Sequence, residues 1–150
     1  MIGTMAALLG VAGAGAAFVR LAPTRPEAWD VDPAVEGRTG PGRFLVADGG
    51  DRAPLRLPAG PEMVLDTLSE IAAADGAERI VWRPDEGRAT WEARSRVVGF
   101  PDYVSVRVLP EGEGSVLTAY GRLRFGYDDV GVNRGRLERW LAALEGRLGG

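Results

Sequence analysis

Between Arg79 and Phe125 lie four short strand-like segments, the last three alternating apolar and polar residues, and no other feature constrains the fold of the chain as tightly. The segments are Arg79 to Arg83, Arg88 to Val97, Tyr103 to Leu109 and Val116 to Phe125. Their separators are Pro84-Asp85-Glu86-Gly87, Gly99-Phe100-Pro101-Asp102 and Pro110-Glu111-Gly112-Glu113-Gly114, rich in turn formers and of hairpin length. Strands joined this tightly run antiparallel. In the second, Ala89, Trp91, Ala93 and Ser95 share one side, opposite Arg88, Thr90, Glu92, Arg94 and Arg96. In the third, Val104, Val106 and Val108 oppose Tyr103, Ser105 and Arg107; in the fourth, Leu117, Ala119, Leu123 and Phe125 oppose Thr118, Tyr120, Arg122 and Arg124. Period-two sidedness of this kind puts one face of a sheet in a core and leaves the other polar.

Two helical patterns flank the strands. Gly60-Pro61-Glu62 opens the first, with Pro suited to the first turn and Glu to the positive end of the helix dipole. Val64, Leu68, Ile71 and Ala72 recur on one side, and Gly76 closes it. The last pattern, Asn133 to Leu148, stacks Leu137, Leu141, Leu144 and Leu148, with Trp140 beside them. Phe44 to Ala47 and Leu55 to Leu57 read as two further short strands. The expected architecture is therefore α+β: an antiparallel β-meander with helices packed on one face.

Ahead of this domain, Ile2 to Val19 carries no charge and is followed at once by Arg20. A helix of that length spans ~27 Å, close to a hydrocarbon core of ~30 Å. It reads as a single transmembrane anchor, against a cleaved signal peptide or a buried soluble helix. The A-x-A spacings Ala12-Gly13-Ala14 and Ala14-Gly15-Ala16 suit cleavage, whereas the absence of Lys or Arg before the apolar run opposes it. Ala6, Gly10 and Ala14 form a small-residue stripe that could pair two helices. Residues 23–43, with prolines 23, 26, 33 and 41, read as a tether, so the expected division is anchor or signal segment 1–22, tether 23–43 and domain 44–150. Trp29 sits either at the headgroup level or against the domain.

Composition removes several chemistries. The chain has no Cys and no His, which excludes the usual zinc and copper sites, disulfides, thiol nucleophiles and Ser–His triads. No cofactor is expected. A formal charge of −3 gives no reason to expect a nucleic-acid partner. All 18 cations are arginine, so an arginine here does not by itself signal a chosen guanidinium fork. Even so, Arg94, Arg96, Arg107, Arg122 and Arg124 fall on the polar sheet face with little acid beyond Glu92. Such a face suits a small anionic ligand or a protein partner. If it is open, reversing Arg107 and Arg122 to Glu should leave stability nearly intact and abolish anion binding.

The run Arg124-Phe-Gly-Tyr-Asp-Asp-Val-Gly-Val-Asn-Arg134, followed by Arg136, is distinctive, as are Arg94-Ser-Arg96 and Phe100-Pro-Asp102. Together they resemble the bacterial and plastid family called domain of unknown function 1499, over roughly Leu55 to Leu144. Tyr103 stands where that family usually has a second Asp, Asp128 where Ser is common, and Arg122-Leu123 where small or hydroxyl residues are usual. The resemblance implies no settled activity. It implies membrane-associated or exported proteins, and so a periplasmic domain, although Arg20 and Arg25 alone favour a cytoplasmic one. Physically, Asp129 or Asn133 can cap the last helix, Gly131 permits a positive φ, and Arg124, Arg134 and Arg136 lie near enough to pair with Asp102, Asp128 or Asp129.

The leading functional expectation is a non-catalytic, membrane-anchored binding module of the cell envelope. Its candidate binding residues are Arg94, Arg96, Arg107, Arg122, Arg124, Asp102, Asp129, Asn133 and Arg134. The competing class is a hydrolase using Asp102 with Asp128 or Asp129 as acid and base. A purely structural display role is the third.

Overall fold

The computed structural model describes residues 2–95 and 99–149, with side chains from Ala12 onward. Six strands form one antiparallel sheet: β1 (Arg43–Val46), β2 (Leu55–Leu57), β3 (Glu78–Arg83), β4 (Arg88–Arg94), β5 (Pro101–Glu111) and β6 (Gly114–Leu123). Their order is β1-β6-β5-β4-β3, and β2 also pairs with β6. The expected meander is present, each strand antiparallel to the next. Two features fall outside local spacing. β1 and β2 share one edge of β6, β1 opposite Ala119 to Arg122 and β2 opposite Ser115 to Leu117. The fourth strand also stops at Leu123, where its last partner is Asp102, so Arg124 and Phe125 lie beyond the sheet.

One face packs on two helices, here labelled α4 (Pro61–Ala74) and α5 (Val132–Leu148). Val64, Leu65, Leu68, Ile71 and Ala72 of α4 are buried, as are Leu137, Trp140, Leu141 and Leu144 of α5. They meet Ala89 and Trp91 of β4, Val104, Val106 and Val108 of β5, Leu117 and Ala119 of β6, and Phe44 and Val46 of β1 in a single core. The alternation expected from the sequence is the alternation observed. Trp91 and Trp140 meet edge to face at 6.0 Å, a favoured aromatic geometry. Gly121 sits directly beneath α5, and a Cβ there would come within 3.1 Å of both Asn133 and Leu137. Close approach of this helix to β6 therefore favours glycine, since a side chain would push Asn133 and Leu137 back by a few tenths of an ångström.

The other face corrects the sequence reading, which left it open and made residues 23–43 a tether. Instead the segment from Ala22 to Gly37 lies across it as a strap, with two short helices, α2 (Pro26–Trp29) and α3 (Pro33–Glu36). Each begins with Pro at its first turn, and Asp32 caps α3 by accepting from Ala34 N at 3.1 Å. Trp29 stacks flat on Tyr103, with centroids 4.0 Å apart and planes 13° apart, so it packs on the domain. Val31 joins Leu45, Ala47 and Tyr120 in a small second cluster.

The first apolar stretch does form a helix, α1 (Ile2–Leu21). Its membrane-spanning character is not supported: among the described residues, no helix is long and apolar enough to cross a membrane. Ala12 to Phe18 are all exposed, and no part of the domain covers them.

Candidate functional site

The nine residues singled out from sequence fall into two assemblies and one remainder. Arg107, Arg122, Arg124 and Arg94 belong to the first, on the strap-covered face. Arg107 pairs with Asp32 of the strap. Arg122, only 6% exposed, donates from Nη1 to Ser105 Oγ and to Tyr120 O, each at 3.1 Å, and from Nη2 to Trp29 O. Burial pulls its pKa down to about 10, so it is still charged at neutral pH. Arg124 donates to Pro23 O at 3.1 Å and to Tyr103 OH at 3.2 Å. Arg94 meets Glu92 at 2.6 Å and donates to Arg20 O at 2.7 Å and to Gly99 O at 3.1 Å. The fifth arginine of this expected row, Arg96, lies outside the described residues.

This is not an open anion-binding face. Carboxylates and carbonyls of the strap occupy the guanidinium groups as an anionic ligand would. Asp30 adds contacts at 3.1 Å to Arg88 and 3.3 Å to Arg83, and Thr24 bonds both Glu92 and Tyr103 OH. Sequence reasoning left Trp29 open and missed Asp30 and Asp32 as partners because it read the prolines around them as chain breakers. The signal was present: Asp32-Pro33 with Glu36 is a helix start, and Asp32 N donates back to Glu36 Oε1 at 3.2 Å.

The second assembly lies on the helix-covered face, where β5 begins and α5 starts. Arg136 Nη1 donates to Asp102 Oδ2 at 3.3 Å and to Asn133 Oδ1 at 3.2 Å. Asn133 Nδ2 and its backbone N both donate to Asp129 Oδ2 at 2.7 Å, and Asp129 Oδ1 accepts from Gly131 N at 3.0 Å. Asp129 thus caps α5 as expected, although the capping position itself is Gly131 at φ 79°. Asn133 lies inside the first turn, buried, and organises the cluster. Asp102 and Arg136 are each 6% exposed. Burial pushes Asp102 up to about 6 despite the opposing pull of Arg136, with Asp129 adding to the rise. Arg136, absent from the candidate site set, proves central to this cluster.

Of the remaining candidates, Arg134 is half exposed, pairs with Glu138 at 3.7 Å and covers the Phe44 ring at 4.6 Å. Asp128 turns back on Val130 N at 3.0 Å. Asp102 is therefore enclosed under an arginine, while Asp128 and Asp129 accept from backbone N–H groups of the turn into α5. A cleft of about 450 Å³ opens beside the cluster, lined by Arg94, Ser95, Arg136, Arg139, Asp75 and Val132. In it Asp75 accepts from Trp140 Nε1 at 2.9 Å and faces Arg139 at 3.6 Å, so most of its charge is matched internally. Among the described residues, no group of three or more carboxylates is placed to hold a metal ion.

No curated protein matches the sequence. Among solved structures, the crystal structure of TTHA0849 from Thermus thermophilus is similar at 16% identity and a TM-score of 0.40, over 70% of this chain and 95% of that one. A family model described as "Protein of unknown function (DUF1499)" matches residues 26–144, a span that takes in most of the strap as well as the sheet and both packed helices. The chain belongs to the DUF1499 family.

Proposed function

We propose that this chain is a non-catalytic interaction module of the cell envelope, held at the membrane by α1 with its domain on the periplasmic side. The observation that carries the reading is α1 itself. It is uncharged from Ile2 to Val19, and its described side chains from Ala12 to Phe18 are exposed. Phe18 and Leu21 are 69% and 79% exposed, and a helix that displays such residues calls for a cover the domain does not supply. A bilayer is the cover that matches its length. The enclosure of Asp102 under Arg136 and the use of Asp129 to cap α5 support a binding role over hydrolysis. With the arginines of the sheet face engaged by the strap, the cleft lined by Ser95, Val132 and Arg139 is the surface proposed for a protein partner.

Fractionation of a C-terminally tagged chain tests the anchor and the side together. The expected result is a full-length chain that resists carbonate extraction, with a domain digested by protease added to spheroplasts. Recovery in the soluble fraction overturns the anchor, and protection from protease places the domain in the cytoplasm.

A further inference from the structure

The strap leaves α1 no slack, and this fixes what the domain turns toward. Leu21 ends the helix, and Ala22, the next residue, is already buried at 4% exposure. Arg94 Nη1 holds Arg20 O at 2.7 Å, and Arg124 Nη1 holds Pro23 O at 3.1 Å. A helix end pinned on both sides of its last residue cannot carry the domain on a flexible leash. If α1 enters a bilayer, the end of the sheet that grips it must lie at headgroup level.

That end carries the surface such a position requires. Eight large apolar side chains are exposed among the described residues, and five of them belong to α1 (Phe18, Leu21), to the loop leading from β6 into α5 (Tyr127, Val130) or to the first residue of α5 (Val132). This loop leaves β6 at Leu123, opposite Asp102, at the same end of the sheet as Arg94 and Gly99. Val130 is 94% exposed and has φ 52°, a left-handed conformation that β-branched residues rarely adopt. The Asp128 carboxylate holds that turn by accepting from Val130 N, so the loop presents its apolar tip in a set orientation. Beside it, Arg43, Arg124 and Tyr127 line a second cleft of about 300 Å³. Arginines bordering aromatic and aliphatic tips suit a layer of lipid phosphates above acyl chains.

We propose that this end of the domain, with Tyr127, Val130 and Val132 at its tip and Arg43 and Arg124 behind them, docks on the phospholipid headgroup layer of the bilayer that α1 enters. The proposal rests on the anchor reading and adds a fixed orientation to it: the β5–β6 turn at Gly112, at the opposite end of the hairpin, faces away from the membrane.

The chain has no cysteine, so single labels are straightforward. Full-length Val130→Cys and Glu113→Cys variants carry an environment-sensitive fluorophore and are reconstituted in phosphatidylcholine–phosphatidylglycerol nanodiscs containing shallow doxyl-labelled lipid. The expected result is blue-shifted emission at residue 130, with quenching severalfold stronger than at residue 113. Water-like emission at both positions, in chain that co-migrates with the discs, overturns the docked orientation and leaves the anchor standing. Chain that does not co-migrate overturns the anchor and the docking with it. A Tyr127→Ser, Val130→Asn double variant, labelled at Val132→Cys, should co-migrate equally well and lose most of the blue shift; an unchanged shift overturns the role given to those two side chains.

Discussion

The two faces of the sheet are both covered, but by opposite chemistry. On one, α4 and α5 bury Leu, Val, Ile and Trp side chains in a continuous core. On the other, the strap lies on Arg107, Arg122, Arg124 and Tyr103 and is held mainly by ion pairs, carbonyl acceptors and one stacked aromatic pair. Burial of apolar area is additive and has little orientation dependence, whereas a polar contact exchanges water bonds for protein bonds at small net gain. The first face should hold most of the stability. The second should set the position of a segment, here the root of α1, and come loose first.

The largest effect is expected on the apolar face. Leu141→Ala, at a site with no exposed surface, should lower unfolding free energy by about 2–5 kcal/mol in urea titrations. A loss below that range, or one matched by truncating a strap residue, would break the contrast between the faces.

Next comes Asp102, a buried carboxylate on the helix-covered face. Its pKa rises from 3.8 unfolded to about 6 folded, so between these values the native state binds more protons than the unfolded chain. Stability from this group is therefore greatest below pH 4, falls as pH rises toward 6, and is level above it. Asp102→Asn removes the titration. The stability of the native chain relative to the variant should thus decline by about 3 kcal/mol across that window. A flat difference would mean that Arg136 neutralises the carboxylate fully.

On the strap face, Arg122→Met should cost about 1–3 kcal/mol, because Trp29 O and Tyr120 O lose a buried donor. Amide exchange should accelerate in the strap while Val104 to Val108 keep their protection. Reversal of Arg107 and Arg122 to Glu, harmless on an open face, should release the strap altogether. The smallest effect is expected at Asp129→Ala, about 1 kcal/mol for loss of the cap, confined to the first turn of α5.

Local periodicity made the meander legible. Ala89, Trp91 and Ala93 and their counterparts on β5 and β6 point where alternation placed them, because a pleated strand permits only two directions. Gly131 and Asp129 were legible for a similar reason: a left-handed turn and an orphan helix N–H each admit few residue types. The candidate site was less so. Arg107 and Arg122 were correctly assigned to one face, and Arg124 lies just past the end of its strand, yet their partners lie some seventy-five to a hundred residues away in the strap. No local pattern encodes a contact across that separation.

By itself, then, the sequence determined the α+β class, the sidedness of the last three meander strands, the two packed helices and the exclusion of Cys and His chemistry, all of which follow from short-range geometry or composition. Only the tertiary structure decided that β1 and β2 share the edge of β6, that Arg136 lies over Asp102, and that residues 22–37 cover the polar face. These depend on which distant surfaces complement one another in charge and shape, and such complementarity exists only once the chain has folded.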